Sequence, residues 1–290
     1  MRALVLSGGG SKGAFQIGVL KRWMGDHQQD YDIMCGVSVG ALNIAGLSHV
    51  PKGNPQEAVA WLENFWLTKV TGNNAIYKRW FPFGRLHSLW MGSVYDSSPL
   101  IKLVKENIDL SQVAHNGRKL AVGAVCLDTG EHVFGTEQDP NFADWVLASS
   151  SFPVFLTPIE IGGKLYSDGG IVNITPLGQA IRMGADEVDV IMCSDPFVRD
   201  NWGSDSHAAV PGLIIRSLNL MSDQISRFDI EEIGLKNDLA DVNPKYRKVK
   251  VRVVIPSKPL GVDSLTFDPD KIKSMIDQGY QDADKYTTYE

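Results

Sequence analysis

The sequence of 290 residues predicts an α/β protein, a single domain built as a three-layer α/β/α fold around a mostly parallel central sheet. Two observations carry this. The first fifty residues run strand, glycine turn, helix, and then repeat that order. Beyond them, short apolar strands keep alternating with helical stretches, which calls for parallel strands covered by helices on both faces. No repeat, low-complexity tract or obvious linker breaks the pattern, so one domain over 1–290 is expected.

Each element follows from its residues. Arg2–Leu6 is a short apolar strand that Gly8-Gly9-Gly10 ends. Phe15, Ile17, Val19, Leu20, Trp23 and Met24 mark an apolar helix, Tyr31–Cys35 a second strand, and Ala41–Val50 a second helix. Ala58, Trp61, Leu62, Phe65 and Trp66 recur at helical spacing. A looser aromatic segment leads to a helix near Pro99–Ile108. Lys119–Leu127 and His132–Phe134 read as strands joined by Asp128-Thr129-Gly130, and Phe142–Ala148 as another helix. A hairpin follows at Gly162-Gly163, and Val188–Cys193 is a buried strand. Ile214, Leu218, Met221, Ile225 and Phe228 form the stripe of one long helix, expected to face the core. Val249–Ile255 is a last strand, and Ile272, Met275, Ile276, Gly279 and Tyr280 mark a closing helix.

With 43% hydrophobic and 21% charged residues, the composition excludes wholesale disorder. A chain of this length buries a sizeable core without disulfide or metal staples. The net charge of −6 argues against a broad footprint for nucleic acid or anionic lipid, and no nucleic-acid partner is expected. Cys35, Cys126 and Cys193 are scattered in apolar stretches and form no CxxC pair, so they read as reduced core residues. The apolar run Ala3–Leu6 is too short for the core of a signal peptide. The charge-free run Ile33–Val50 carries Gly36, Asn43 and His49 and is a poor membrane span. A cytoplasmic protein is the expectation, peripheral at membranes at most.

Three glycine-framed motifs carry chemistry. Gly8-Gly9-Gly10-Ser11-Lys12-Gly13 lies between a strand and a helix, where bare backbone N–H groups attract negative charge. That charge is either a dinucleotide phosphate or the oxyanion of acyl transfer. The dinucleotide version expects an acidic residue at the end of the second strand, and Met34-Cys35 stand there instead. Gly36-Val37-Ser38-Val39-Gly40 is a GxSxG pattern in strand–turn–helix context, the setting of a nucleophile elbow. Ser167-Asp168-Gly169-Gly170 follows the small-residue stretch Ala148–Ser151 and a proline-framed loop. By itself, Asp-Gly is also a common hairpin dipeptide.

Taken in this order, GGGSKG, GVSVG and SDGG resemble the patatin-like phospholipase family. The likeness covers roughly 3–195, and the tail at 208–285, ending in FDPDKIKSMIDQGY, is similar in layout. The resemblance implies a patatin-like fold and a serine lipid acyl hydrolase with a Ser-Asp dyad. Ser38 would be the nucleophile, Asp168 the base, and the backbone N–H groups of Gly8, Gly9, Gly10 and Ser11 the oxyanion hole. Lys12, Gly13, Gly36, Gly40, Gly169 and Gly170 would support these motifs. The partner is a lipid or acyl-ester substrate, and no cofactor or metal is expected.

Two other readings stay open. A Ser-His-Asp esterase or acyltransferase would need His207, the one histidine after Asp168, which lies in a polar stretch. A nucleotide-binding module would use the glycine loop and be indifferent to Ser38. Residues 67–95 hold Lys69, Lys78, Arg79 and Arg85, no acid, and Tyr77, Trp80, Phe81, Phe83, Trp90 and Tyr95. Such a mixture suits either transient contact with a membrane interface or a packed excursion over the sheet.

Overall fold

The computed structural model describes residues 1–79, 92–197 and 210–290. Among the described residues, nine strands join in one sheet. In chain order the strands are β1 (Arg2–Leu6), β2 (Ile33–Val37), the two-residue pair β3 (Lys78–Arg79) and β4 (Tyr95–Asp96), β5 (Lys119–Cys126), β6 (His132–Thr136), β7 (Ile159–Ile161), β8 (Lys164–Asp168), β9 (Glu187–Ile191), β10 (Lys250–Val254) and β11 (Thr287–Tyr289). The large sheet has the order β11-β10-β9-β1-β2-β5-β8-β7, with β6 also on β5, while β3 and β4 pair separately. The five central strands β10-β9-β1-β2-β5 are parallel, and β11, β6, β8 and β7 are antiparallel additions at the margins. This is the mostly parallel α/β sheet that the sequence predicts. β11 went unnoticed in the sequence because its Thr287-Thr288-Tyr289 is too short to carry a period.

The central strands are apolar on both sides because both faces are covered. Along β1, Leu4 and Leu6 enter one core and Ala3 and Val5 the other. The first core is filled from helices α1 (Gly13–Leu20), α2 (Val39–Leu47), α3 (Pro55–Lys69), α4 (Ser98–Asn107), then, after a short α5 (Leu110–Val113), α6 (Phe142–Ser149). The second is covered by α7 (Leu177–Arg182) and α8 (Val210–Ala240). The last helix, α9 (Pro269–Asp282), is capped by Asp268, whose Oδ1 accepts the N–H groups of Asp270 at 3.0 Å and Lys271 at 2.9 Å. It crosses α1 in backbone contact: a Cβ on Gly279 would lie 2.1 Å from the Phe15 carbonyl oxygen. The C-terminal tail therefore presses on the helix that follows the glycine loop.

Some expectations shift. β2 begins two residues later than expected and runs directly into Ser38, so no slack separates strand from turn. The stripe on α8 is corrected in part: Ile214 packs against the first core, but Met221 and Phe228 do not. Met221 is 55% exposed and Phe228 60% exposed, and the face turned inward instead carries Ser226, Ile230, Ile233 and Asn237. Its polar members are satisfied: Ser226 meets Thr175 at 3.1 Å, and Asn237 bonds both the N–H and the carbonyl of Val249. An apolar period cannot reveal a buried face that is half hydrogen-bonded polar groups.

Asp189 in β9 is buried, but it accepts from the Tyr31 hydroxyl at 3.0 Å, Arg2 Nε at 3.1 Å and Arg252 Nε at 2.6 Å. A buried charge paired this completely is structural. Among the described residues no helix is long and apolar enough to cross a membrane.

Candidate active site

The site forms where β2 and β8 meet on one edge of β5. Val37 pairs with Gly123 of β5, and Asp168 pairs with the next residue, Ala124. Gly123 and Ala124 have β6 on their other edge, so β2 and β8 share the remaining one. β2 runs parallel to β5 and β8 antiparallel, so their C-terminal ends converge. Strand register alone therefore brings the residue after Val37 up to the last residue of β8.

That residue, Ser38, has φ 57° and ψ −127°, a backbone conformation that non-glycine residues rarely adopt. The turn is tight because β1 is close behind it: a Cβ on Gly40 would lie 2.2 Å from the Leu6 carbonyl oxygen. The Ser38 carbonyl accepts from the Ala41 N–H at 3.0 Å, the first turn of α2, whose positive end is directed at the serine. Ser149 Oγ accepts the Ser38 N–H at 3.0 Å, and Ser150 Oγ donates to the Ser38 carbonyl at 3.3 Å.

Asp168 is 2% exposed. Its N–H donates to the Ser151 carbonyl at 3.0 Å, and its Oδ1 accepts the Gly170 N–H at 2.8 Å. Oδ2 is buried and finds no hydrogen-bond partner among the described residues. Burial pushes the carboxyl up to about 7, against smaller lowering effects from the Ser38 side chain and the Gly170 N–H. So Ser38 lies near enough to act on the carboxyl, although Oδ2 is left without a bond of good geometry. Catalytic hydrogen bonds are often loose before substrate binds.

The glycine loop forms the third wall. The Gly8 N–H donates to the Ile174 carbonyl at 3.0 Å, and the Ser11 N–H to the Ser264 carbonyl at 3.0 Å. Ser11 Oγ adds a bond to the Asp263 carbonyl at 3.0 Å. These bonds anchor the loop and use up two of its four N–H groups, leaving those of Gly9 and Gly10 without a partner among the described residues. Gly10 has φ 59°, and a Cβ there would lie 1.9 Å from the Ser264 carbonyl oxygen, so no side chain fits. Beneath the loop, Gln16 Nε2 donates to the Ser7 carbonyl at 2.8 Å, Asn43 Nδ2 to Gln16 Oε1 at 2.8 Å, and Trp66 Nε1 to Asn43 Oδ1 at 2.9 Å. This buried chain ties loop, α1, α2 and α3 together.

Ser38, Asp168, Gly9 and Gly10 line one cleft enclosing about 1120 Å³, part of it open to solvent. Its other walls are almost wholly apolar: Leu42, Trp61, Phe65 and Trp66 from α2 and α3, Leu100, Leu103 and Val104 from α4, with Phe152 and Phe267. No histidine among the described residues lines it. His207, together with Trp80, Phe81, Phe83, Arg85 and Trp90, lies outside the described residues. Of the rest of 67–95, Tyr77 is buried, with its hydroxyl on the Leu265 carbonyl at 2.5 Å, and its ring lies tilted against Tyr95 with centroids 4.5 Å apart. Lys69, Lys78 and Arg79 are exposed, and Lys78 pairs with Asp96 at 3.3 Å.

Motif reading passed over the role of Ser149, Ser150 and Ser151, which bond to Ser38 or Asp168. The signal was present as three serines closing an apolar helix. The carbonyls of Ile174 and Ser264 had none.

Comparison with known proteins agrees with this architecture. The Patatin profile, patatin-like phospholipase, matches residues 4–181. The cGAMP-activated phospholipase of Vibrio cholerae is 27% identical over 201 residues, covering 61% of this chain and 55% of that protein. The uncharacterized protein YjjU of Escherichia coli K12 is 27% identical over 195 residues, covering 65% of this chain and 51% of that one. The chain thus spans about half the length of the curated relatives it matches. Among solved structures, VipD from Legionella pneumophila superposes with a TM-score of 0.51 at 14% identity, over all of this chain and 68% of that one, a likeness of fold alone.

Proposed function

Because the chain belongs to the patatin-like phospholipase family, we propose that it is a serine lipid acyl hydrolase working through a Ser38–Asp168 dyad. The observation that carries this reading is Asp168: a buried carboxyl raised to about 7, with a free oxygen, beside a strained serine at the polar end of an apolar cleft. A carboxylate near its usual pKa of about 4 is a weak base for a hydroxyl; one raised toward 7 is matched to neutral pH.

In this reading the steps run as follows. Ser38 Oγ attacks the ester carbonyl carbon while its proton passes to Asp168 Oδ2. The carbonyl oxygen gains the negative charge and is held by the Gly9 and Gly10 N–H groups, each donor contributing about 3 kcal/mol of transition-state stabilisation. Gly8 and Ser11 hold the loop in place. The tetrahedral species collapses, the ester C–O bond breaks, and Asp168 returns the proton to the leaving alcohol. Water, deprotonated by Asp168, then attacks the acyl-Ser38 carbonyl; the bond to Ser38 Oγ breaks, Asp168 returns the proton to Oγ, and the fatty acid leaves. Each methylene of the acyl chain buried in the cleft adds about 0.8 kcal/mol of binding.

The test is labelling with a fluorophosphonate, read by mass spectrometry and paired with an ester assay. Adduct at Ser38, together with loss of hydrolysis in folded Ser38→Ala and Asp168→Asn, is expected. Full activity in either variant would overturn the dyad, and loss of activity in His207→Ala would favour the triad.

A further inference from the structure

On α8 one apolar series turns away from the molecule. Met221, Phe228, Leu235 and Val242 follow one another in steps of seven. A second series, Leu218, Ile225, Glu232 and Leu239, runs beside it, so that the two together advance by alternating steps of three and four. Met221, Phe228 and Leu235 are more than half exposed, as is Val242 in the turn after the helix, and Leu218, Ile225 and Leu239 are half-buried. At 3.6 residues per turn, Phe228 stands about 180° from Asn237, one of the residues that α8 turns to the core. The bonds that tie α8 to the segment after β8, Ser222 Oγ to the Gly170 carbonyl at 3.3 Å and Ser226 with Thr175 at 3.1 Å, leave the helix on other sides.

An apolar seam with a mean repeat of 3.5 residues suits packing along another helix, because it keeps one face turned to the partner over every heptad. A lipid surface requires only a wide apolar face, best flanked by cations. Here Val210–Ala240 carries Arg216, Arg227 and Lys236 against Asp223, Asp229, Glu231, Glu232 and Asp238, a balance that an anionic membrane repels.

The charges also select a direction for a second copy of this helix. In a parallel pair like residues meet, and Glu232 would face Glu232 of the second copy inside the seam. In an antiparallel pair with Ile225 against Phe228 of the second copy, Leu218 meets Leu235, Leu239 meets Ile214, and Glu232 meets Met221. Glu232 then keeps Lys236 of its own helix at 2.8 Å. On the flank, Glu231 keeps its own Arg227 at 2.8 Å and comes beside Gln224 of the second copy, not beside another acid. No like charges oppose one another along this seam.

We propose that the outward face of α8 is a homodimer interface, an antiparallel helix pair whose twofold axis passes between Ile225 and Phe228. The interface does not depend on the acyl-hydrolase reading.

Sedimentation of the full chain across a concentration series is expected to show a reversible monomer–dimer equilibrium. Phe228→Glu combined with Leu235→Glu, both at exposed positions, should keep the parent's far-ultraviolet circular dichroism. It should raise the dissociation constant about thirtyfold or more, the effect of losing a hot-spot aromatic. For the direction, Leu218→Cys and Leu235→Cys chains are oxidised separately and as a mixture, and a disulfide dimer is expected only in the mixture. Cross-linking within each variant alone, or none in the mixture, overturns the antiparallel pair. A chain that stays monomeric at every concentration overturns the interface, and so does a dimer that ignores both glutamates. A monomer that binds phosphatidylcholine vesicles and loses them with Phe228→Glu also overturns it, in favour of a lipid surface.

Discussion

Ser149 Oγ accepts the backbone N–H of Ser38 at 3.0 Å, across 111 positions of sequence. The bond joins the end of α6 to the Ser38 turn, and two residues on, Ser151 holds the N–H of Asp168 with its carbonyl. One short segment thus sets the positions of both Ser38 and Asp168, the two residues of the proposed dyad. Ser149→Ala should cost about 1–3 kcal/mol of stability, because a largely buried donor loses its partner. It should also lower kcat about tenfold or more with little change in KM, since a misplaced nucleophile affects the transition state more than binding. Urea unfolding and ester kinetics check both.

The raised pKa of Asp168 sets a pH dependence in activity and in stability. Hydrolysis should rise with pH and level off above about 7, because the base must be ionised. A carboxyl raised from 3.8 to about 7 favours the fold fully below its unfolded value, and that contribution is lost as pH rises through about 7. Asp168→Asn removes the buried charge and keeps an acceptor for the Gly170 N–H. It should be inactive, yet more stable than the parent at pH 8 by up to about 4 kcal/mol. The two curves should converge below about pH 4. Thermal unfolding across pH 4–8 is the measurement, and a less stable Asp168→Asn at pH 8 would contradict the burial argument.

Gly10→Ala should fold with a displaced loop. The new Cβ meets the Ser264 carbonyl at a position with φ 59°, so the loop must move. Loss of one oxyanion donor costs about 100-fold or more in kcat. Fluorophosphonate labelling of Ser38 should slow by a similar factor, since that reaction also builds charge on an oxygen in the hole.

On the proposed reading, α4 should set the chain-length preference. Val104 is buried and lines the cleft. Val104→Phe should fill its inner part and lower the ratio of kcat/KM for palmitoyl over butyryl esters at least tenfold. An unchanged ratio would mean that the acyl chain lies elsewhere.

The three motifs were legible because each is a local backbone problem with few residue solutions. A turn that places Ser38 at positive φ against β1 excludes side chains at Gly40, and the Gly10 position excludes any Cβ. The α8 face was illegible because its inward side includes Ser226 and Asn237, whose burial depends on partners in other elements. The same applies to Tyr77: an aromatic beside basic residues looks like an interface until the Leu265 carbonyl is seen to hold its hydroxyl.

By itself, then, the sequence determined the α/β class, the early serine turn, the glycine loop and the Asp-Gly-Gly segment, since these follow from local periodicity and permitted dihedral angles. Only the tertiary structure decided which loop N–H groups are taken up, because Ile174 and Ser264 reach the loop from far along the chain. It decided the raised Asp168 carboxyl in the same way, since desolvation is a property of everything packed around a group. And it set an apolar cleft beside a more polar one, because their shared wall joins the glycine loop to segments more than 150 residues away.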